Sequence, residues 1–120
     1  MNIDKVLIVD DSPTDLQNME DILSKEGFRI SKATSGIEAI KKSNEEIPDI
    51  IFMDVVMDDK NGFQTCRELK KNPQTKDIPI FLVSSKNQKV DYLYAQQVGA
   101  KELISKPVDS ALLLSKIHNL

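Results

Sequence analysis

Lys5-Val6-Leu7-Ile8-Val9-Asp10-Asp11-Ser12-Pro13 reads as an apolar strand that ends in two carboxylates, a helix-capping serine and a first-turn proline. The pattern returns twice: Ile50-Ile51-Phe52-Met53-Asp54, and Leu103-Ile104-Ser105-Lys106-Pro107. Apolar strands sit in a core, so charges at their ends mark where each strand emerges. In a parallel α/β sheet all those ends lie on one edge. Asp10, Asp11, Asp54 and Lys106 are therefore expected to converge, although almost a hundred residues separate the first from the last. That combination of acids and a lysine points to phosphoryl transfer.

The intervening residues supply the alternation such a sheet requires. After Lys5 to Val9, Leu16, Met19, Ile22 and Leu23 recur at helical spacing until Gly27. A weaker strand, Phe28 to Ala33, leads through Ser35-Gly36 into a helix with Ile37, Ile40 and Ile47 on one side, ended by Pro48. Asp49 to Met53 is a continuous apolar run, as expected for a central strand covered on both faces. The polar turn Asp58-Asp59-Lys60-Asn61-Gly62 opens a helix whose stripe is Phe63, Cys66 and Leu69, closing near Asn72-Pro73. Ile78 to Val83 makes the fourth strand. A helix over 88–98 carries Val90, Leu93, Tyr94 and Val98, and Gly99 stops it. A fifth strand reaches Ser105, and Asp109 caps a last helix bearing Leu112, Leu113, Lys116 and Ile117. The order βαβαβαβαβα, with right-handed crossovers, puts helices on both faces of a parallel sheet.

Composition narrows the function. With 120 residues and 40% apolar content there is room for one core and no second folded domain. A net charge of −3 with scattered lysines argues against nucleic-acid binding, which calls for a clustered basic patch. Neither a secretory leader nor an apolar run of membrane-spanning length is visible, so a soluble cytoplasmic protein is the expectation. Cys66 is the lone cysteine, which excludes an internal disulfide and a cysteine metal site; it is expected on the inner face of its helix. His118 is also alone and is expected in solvent.

Three carboxylates in one place are costly unless a cation joins them. Mg²⁺ suits the site, because it takes oxygen ligands and is held by one or two carboxylates plus phosphate oxygens. Asp54, beside metal and lysine, is the candidate nucleophile that forms an acyl phosphate. Lys106 would pair with a phosphoryl oxygen, and Ser84, ending the fourth strand, would donate a hydroxyl to it. Each residue has a plainer reading. Asp10-Asp11-Ser12-Pro13 could merely cap a helix, Asp54 could be a turn residue, Lys106 a surface lysine, and Ser84 alone says little. Their joint placement at the ends of strands one, three, four and five favours the chemical reading.

From end to end the chain resembles response-regulator receiver domains of the CheY type. The likeness is carried by Val9-Asp10-Asp11-Ser12, Met53-Asp54-Val55-Val56-Met57, Asn61-Gly62-Phe63, Val83-Ser84-Ser85 and Ser105-Lys106-Pro107-Val108. It implies one receiver domain over residues 1–120, with a flavodoxin-like (βα)5 fold and strand order 2-1-3-4-5, an order known from flavodoxin and from CheY itself. It also implies Asp54 as phosphoacceptor, with Mg²⁺ bound directly by Asp11, through water by Asp10, and by Asp54 and the Val56 backbone carbonyl. Lys106 and Ser84 would contact the phosphoryl group, and Lys106-Pro107 would be cis. The donor would be a histidine kinase, and the target would dock on the face of the fourth helix, fifth strand and fifth helix. The protein would act as a monomer or a weak phosphorylation-dependent dimer, without nucleic acid or membrane insertion, modifying itself rather than turning over a metabolite. Within the family, Asp54-Val55-Val56-Met57, Asn61-Gly62-Phe63-Gln64, Val83-Ser84-Ser85-Lys86 and Gly99-Ala100-Lys101 are most similar to the PilH-type stand-alone receivers of type IV pilus twitching motility.

The chain departs from the family pattern in three respects. Asp58 stands where proline is usual, so a more flexible or more acidic loop is expected after Asp54. Leu103 stands where an aromatic residue usually turns inward on activation, which removes the ring through which a coupling to Ser84 would run. Val56 and Lys86 replace polar and acidic residues that flank the phosphoryl group in CheY; Val56 cannot orient a water, so slower autodephosphorylation than in CheY is expected. The alternative is that both side chains face solvent and leave that rate alone. Among other functions, a Mg²⁺-dependent phosphohydrolase needs an acid two residues beyond its nucleophile, where this chain has Val56 and no room for a substrate cap. A flavin carrier calls for a Ser/Thr/Gly-rich loop after the first strand, where Asp10-Asp11-Ser12-Pro13-Thr14 stands. A docking module working without phosphorylation would not need the intact set of five site residues.

Overall fold

The computed structural model describes residues 2–120. Strands and helices alternate as β1 (Lys5–Val9), α1 (Pro13–Ser24), β2 (Arg29–Ala33), α2 (Gly36–Glu46), β3 (Ile50–Asp54), α3 (Gly62–Lys71), β4 (Ile80–Ser84), α4 (Lys89–Gln97), β5 (Glu102–Ser105) and α5 (Ser110–His118). The strands form one parallel sheet in the order β2-β1-β3-β4-β5, as the resemblance implies. Register lines up the carboxyl ends: Val9 lies beside Met53, Asp54 beside Val83, and Ser84 beside Ser105.

Each continuous apolar run feeds two cores, because successive side chains of a strand point to opposite faces. Leu7, Val9, Ile51, Met53, Leu82 and Leu103 meet Ala39 of α2, Cys66 and Leu69 of α3, and Ala95 of α4. Val6, Ile8, Phe52, Phe81, Val83 and Ile104 meet Leu16, Met19 and Leu23 of α1 and Leu113 and Ile117 of α5. The Phe52 and Phe81 rings stack at 5.5 Å inside this second core. The same alternation, carried to the end of β3 and one step past β1 and β5, puts Asp54, Asp10 and Lys106 on the α1/α5 side. Ser84 falls on the other.

Helix starts follow the sequence. Ser12 Oγ accepts from Asp15 N at 3.3 Å with Pro13 in the first turn, and Asp109 accepts from Leu112 N at 2.9 Å. Asn61 and Gln64 exchange backbone-to-side-chain bonds in a reciprocal capping box at the head of α3. Cys66 is buried, as expected; its thiol contacts the Val98 carbonyl, and burial pushes it up to about 11. His118 is exposed in the last helix. Among the described residues no helix is long and apolar enough to cross a membrane.

Two helical stripes differ from expectation. In α2 it is Gly36, Ala39 and Ser43 that are buried, while Ile37 is 63% exposed and Ile47 caps the helix in the left-handed region at φ 46°. At Gly36 an added Cβ would meet Thr65 Oγ1 of α3 and Lys60 Cγ at 2.5 Å, so that end of the inner face admits no larger residue. Ile40 alone of the expected three packs on the core. In α4 the buried residues are Ala95 and, at its cap, Val98, whereas Val90, Leu93 and Tyr94 are exposed. Tyr94 spends its ring on Phe63 of α3, at 4.6 Å, rather than on the sheet. Leu112 is likewise exposed, and Leu113 and Ile117 make the inner face of α5.

Candidate functional site

Asp10, Asp11 and Asp54 meet at the carboxyl edge of the sheet, each offering a carboxylate oxygen within 4.8 Å of the others. Asp10 and Asp54 are buried and Asp11 is exposed, so the group opens to solvent on one side. Local bonds fix the two buried acids. Asp10 Oδ1 accepts from Ser12 N at 2.9 Å and its own N–H donates to the Ala33 carbonyl, while the nearby Val56 N–H favours the charged form of Asp54.

Lys106 comes from the far end of the chain to the same place. Its Nζ lies 3.0 Å from Asp10 Oδ2, 2.8 Å from Asp15 Oδ2 and 3.4 Å from Asp54 Oδ1. Its N–H donates to the Ser84 carbonyl, and the Lys106–Pro107 peptide is cis, as the resemblance implies. Asp15 was not among the residues expected here. The signal was present in the sequence: an acid three residues after the Ser12 cap lies in the first turn of α1, and that turn starts at the edge where β1 ends.

One ammonium faces three carboxylates, with Asp11 beside them. Burial pushes Asp54 up to about 6, and the charge of Asp10 pushes the same way, against Lys106 and the Val56 N–H. Burial works against the charge on Lys106, but its bonds to Asp15 and Asp10 outweigh this and raise its pKa. The all-oxygen donor set, in excess of the positive charge beside it, fits a hard divalent cation of the Mg²⁺ type. Lys106→Ala is expected to cost about 2 kcal/mol of stability in EDTA at pH 8. Removing one partner of a buried pair costs more than that when no solvent reaches it, and here some does. Urea denaturation with and without Mg²⁺ checks this: the deficit should shrink when the cation replaces the missing charge.

Ser84 is buried at the end of β4, and its Oγ accepts from Lys86 N at 2.9 Å. Among the described bonds none joins it to Asp54, which agrees with its placement on the opposite face of the sheet. Val56 is 54% exposed and Lys86 is exposed, so the side chains expected to influence hydrolysis face solvent. The loop bearing Asp58 is acidic and held rather than loose. Asp58 is exposed, but the adjacent Asp59 binds the first two N–H groups of α2 at 3.0 and 2.9 Å. Gly62 closes the loop, its N–H donating to the Val55 carbonyl at 2.8 Å. Leu103 is already buried in the first core, so no outward aromatic side chain waits on β5. Instead Tyr92 of α4 shares a hydrogen bond with Ser105 Oγ at 3.2 Å. A cleft of about 640 Å³ opens beside the acids, with Leu16, Met19, Pro107 and Val108 among its walls.

Comparison with known proteins agrees with this geometry. The family model "Response regulator receiver domain" matches residues 6–118. Protein PilH of Pseudomonas aeruginosa is 39% identical over 114 residues, covering 95% of this chain and 94% of that protein. Response regulator PleD of Caulobacter vibrioides is 32% identical over 97% of this chain, which spans 26% of PleD's length. The structure of chemotaxis response regulator CheY4 of Vibrio cholerae superposes with a TM-score of 0.91 at 28% identity, over 98% of each chain.

Proposed function

We propose, since this chain belongs to the response regulator receiver domain family, that it is a stand-alone phospho-switch whose phosphoacceptor is Asp54. The observation that carries this reading is the meeting of Asp10, Asp11 and Asp54 within 4.8 Å, with Lys106 Nζ 3.4 Å from Asp54. A carboxylate oxygen of Asp54 attacks the phosphorus of a kinase phosphohistidine. The N–P bond breaks, imidazole leaves, and an acyl phosphate forms on Asp54. Asp10, Asp11, Asp54 and the Val56 carbonyl would hold Mg²⁺, which would supply positive charge to the phosphoryl oxygens. Lys106 turns its N–H groups from Asp15 and Asp10 to a phosphoryl oxygen, and the Ser84 side chain turns over the sheet edge to donate a hydrogen bond to another.

The downstream readout is a change in affinity for a protein target on the α4, β5 and α5 face. Similarity to PilH over nearly its full length supports a place in signalling to type IV pilus twitching, with the protein in the cytoplasm as a monomer or weak dimer. Val56 and Lys86 both face solvent, the arrangement in which they leave the autodephosphorylation rate alone.

Intact-protein mass after incubation with acetyl phosphate tests the reading. With Mg²⁺ the protein should gain one phosphoryl mass, removable by hydroxylamine as an acyl phosphate is; with EDTA it should gain none. A protein that stays unmodified under every condition would instead be a docking module of receiver fold.

A further inference from the structure

The segment 55–61 joins the Asp54 strand to α3 and carries Val56, whose N–H favours the charged form of the Asp54 carboxylate. It is pinned at both ends by different means. At the near end, Val55 N donates to the Val83 carbonyl at 3.0 Å, Val55 O accepts from Gly62 N at 2.8 Å, and the Met57 side chain is buried. At the far end, Asp59 forks onto α2: Oδ1 accepts from Gly36 N at 3.0 Å and Oδ2 from Ile37 N at 2.9 Å. These two donors have no partners inside the helix, and Ser35 Oγ takes the next, Glu38 N. A second contact points the same way. A Cβ on Gly36 would come within 2.5 Å of Lys60 Cγ, so the glycine leaves space for the loop to sit on the helix.

We propose that Asp59 is a positioning residue for the cation site: by clasping the 55–61 loop to α2 it fixes the Val56 backbone relative to Asp54. The inference rests on the reading of Asp10, Asp11, Asp54 and the Val56 carbonyl as Mg²⁺ ligands. Val56 lies within the near pin, between Val55 and the buried Met57, and its own side chain is in solvent, so packing of that side chain does not hold its backbone. Backbone bonds and the clasp do. The carboxylate suits this task because it offers two oxygens to two adjacent N–H groups and complements the positive end of α2. Those bonds hold the Asp59 carboxyl below the usual carboxylate range.

The test separates the clasp from loss of charge and from a weakened helix end. Mg²⁺ binding is measured by calorimetry on wild type, Asp59→Ala, Asp58→Asn and Glu38→Ala. Asp58→Asn removes a neighbouring exposed charge of the same loop. Glu38→Ala removes the bonds from Thr34 N and Oγ1 at the head of α2 without touching the loop. Asp59→Ala should raise the Mg²⁺ dissociation constant about tenfold, the lower end of what outer-shell positions cost. The two controls should stay within about twofold of wild type, too little for loss of a supporting contact. Amide exchange at Gly36 and Ile37, followed without metal, should accelerate in Asp59→Ala. Asp59→Asn, which retains one acceptor oxygen, should recover part of the affinity.

An unchanged dissociation constant in Asp59→Ala, or an equal rise in either control, overturns the clasp. A wild-type protein that binds no Mg²⁺ overturns the functional reading beneath it.

Discussion

Asp54→Asn is expected to abolish phosphoryl gain completely and, in EDTA at pH 8, to leave the protein more stable than wild type. The first effect follows from chemistry, since a carboxamide lacks the anionic oxygen that attacks phosphorus. The second follows from the cost of the charge. Asp54 has its carboxyl pushed up to about 6 by burial and by Asp10, above the 3.8 of an unperturbed aspartate. Between those values the folded protein holds a proton that the unfolded chain releases. The stability this group contributes is therefore whole below about pH 4 and is lost as pH rises through 6. Asparagine carries no proton to lose, so the variant's curve lacks that decline. The gap at pH 8 should be on the order of 1 kcal/mol, because the site is open on the Asp11 side and solvent screens the repulsion. Lys106 keeps Asp10 and Asp15 in the variant, so removing its more distant partner offsets only part of the gain.

Urea denaturation at pH 4 and pH 8 decides it. The two proteins should differ little at the lower pH and diverge at the higher one. Mg²⁺ should then reverse the order, because it stabilises the protein that binds it in proportion to ligand excess over the dissociation constant. A variant less stable than wild type at pH 8 in EDTA would mean that the Lys106 contact outweighs the repulsion from Asp10. The acid would then be a structural ion pair rather than a group held in readiness.

This readiness was legible in the sequence because it depends on topology. Val6 to Val9, Ile50 to Met53 and Ile80 to Val83 are continuous apolar runs, and a parallel sheet with both faces covered forces their charged ends onto one edge. Asp10, Asp11, Asp54 and Lys106 needed no further information to be brought together. What the sequence hid is of a different kind. Whether Ile37, Val90 or Leu93 turns inward depends on how closely a helix lies on its neighbours, and that distance is set by Gly36, Ala39 and Ser43 or by the Phe63–Tyr94 contact. Helical spacing reports that a stripe exists; it does not say which of two adjacent stripes is buried. Asp15 and Asp59 escaped for another reason. Both act through side-chain bonds to partners 91 and 23 residues away, and an isolated aspartate in a polar stretch reads equally as a cap, a turn or solvent-facing charge.

Gly62→Ala should destabilise the protein by about 3 kcal/mol, near the upper end of what inserting one methyl into filled space costs. A Cβ at Gly62 would lie 2.4 Å from the Asp54 carbonyl oxygen, 3.0 Å from Val55 Cα and 3.1 Å from the Asp54 carbonyl carbon. All three are backbone atoms of the strand end that carries the phosphoacceptor, so no side-chain rotation relieves the contact. Either α3 withdraws, breaking the Gly62 N–H bond to the Val55 carbonyl, or the end of β3 moves and takes Asp54 with it. Gly27→Ala provides the contrast. Gly27 has φ +85°, which disfavours alanine, but nothing lies within 4 Å of the added carbon. That substitution should cost about 1 kcal/mol, the conformational part alone. Thermal or urea denaturation of both variants separates crowding from backbone preference, and Mg²⁺ titration shows which way the crowding is relieved. Weakened Mg²⁺ binding in Gly62→Ala, with Gly27→Ala unaffected, would mean that the strand end yields. Normal binding with the same loss of stability would mean that α3 yields and the site keeps its shape. A Gly62→Ala protein no less stable than Gly27→Ala would contradict the close approach of α3 to the Asp54 carbonyl on which the placement of the loop depends.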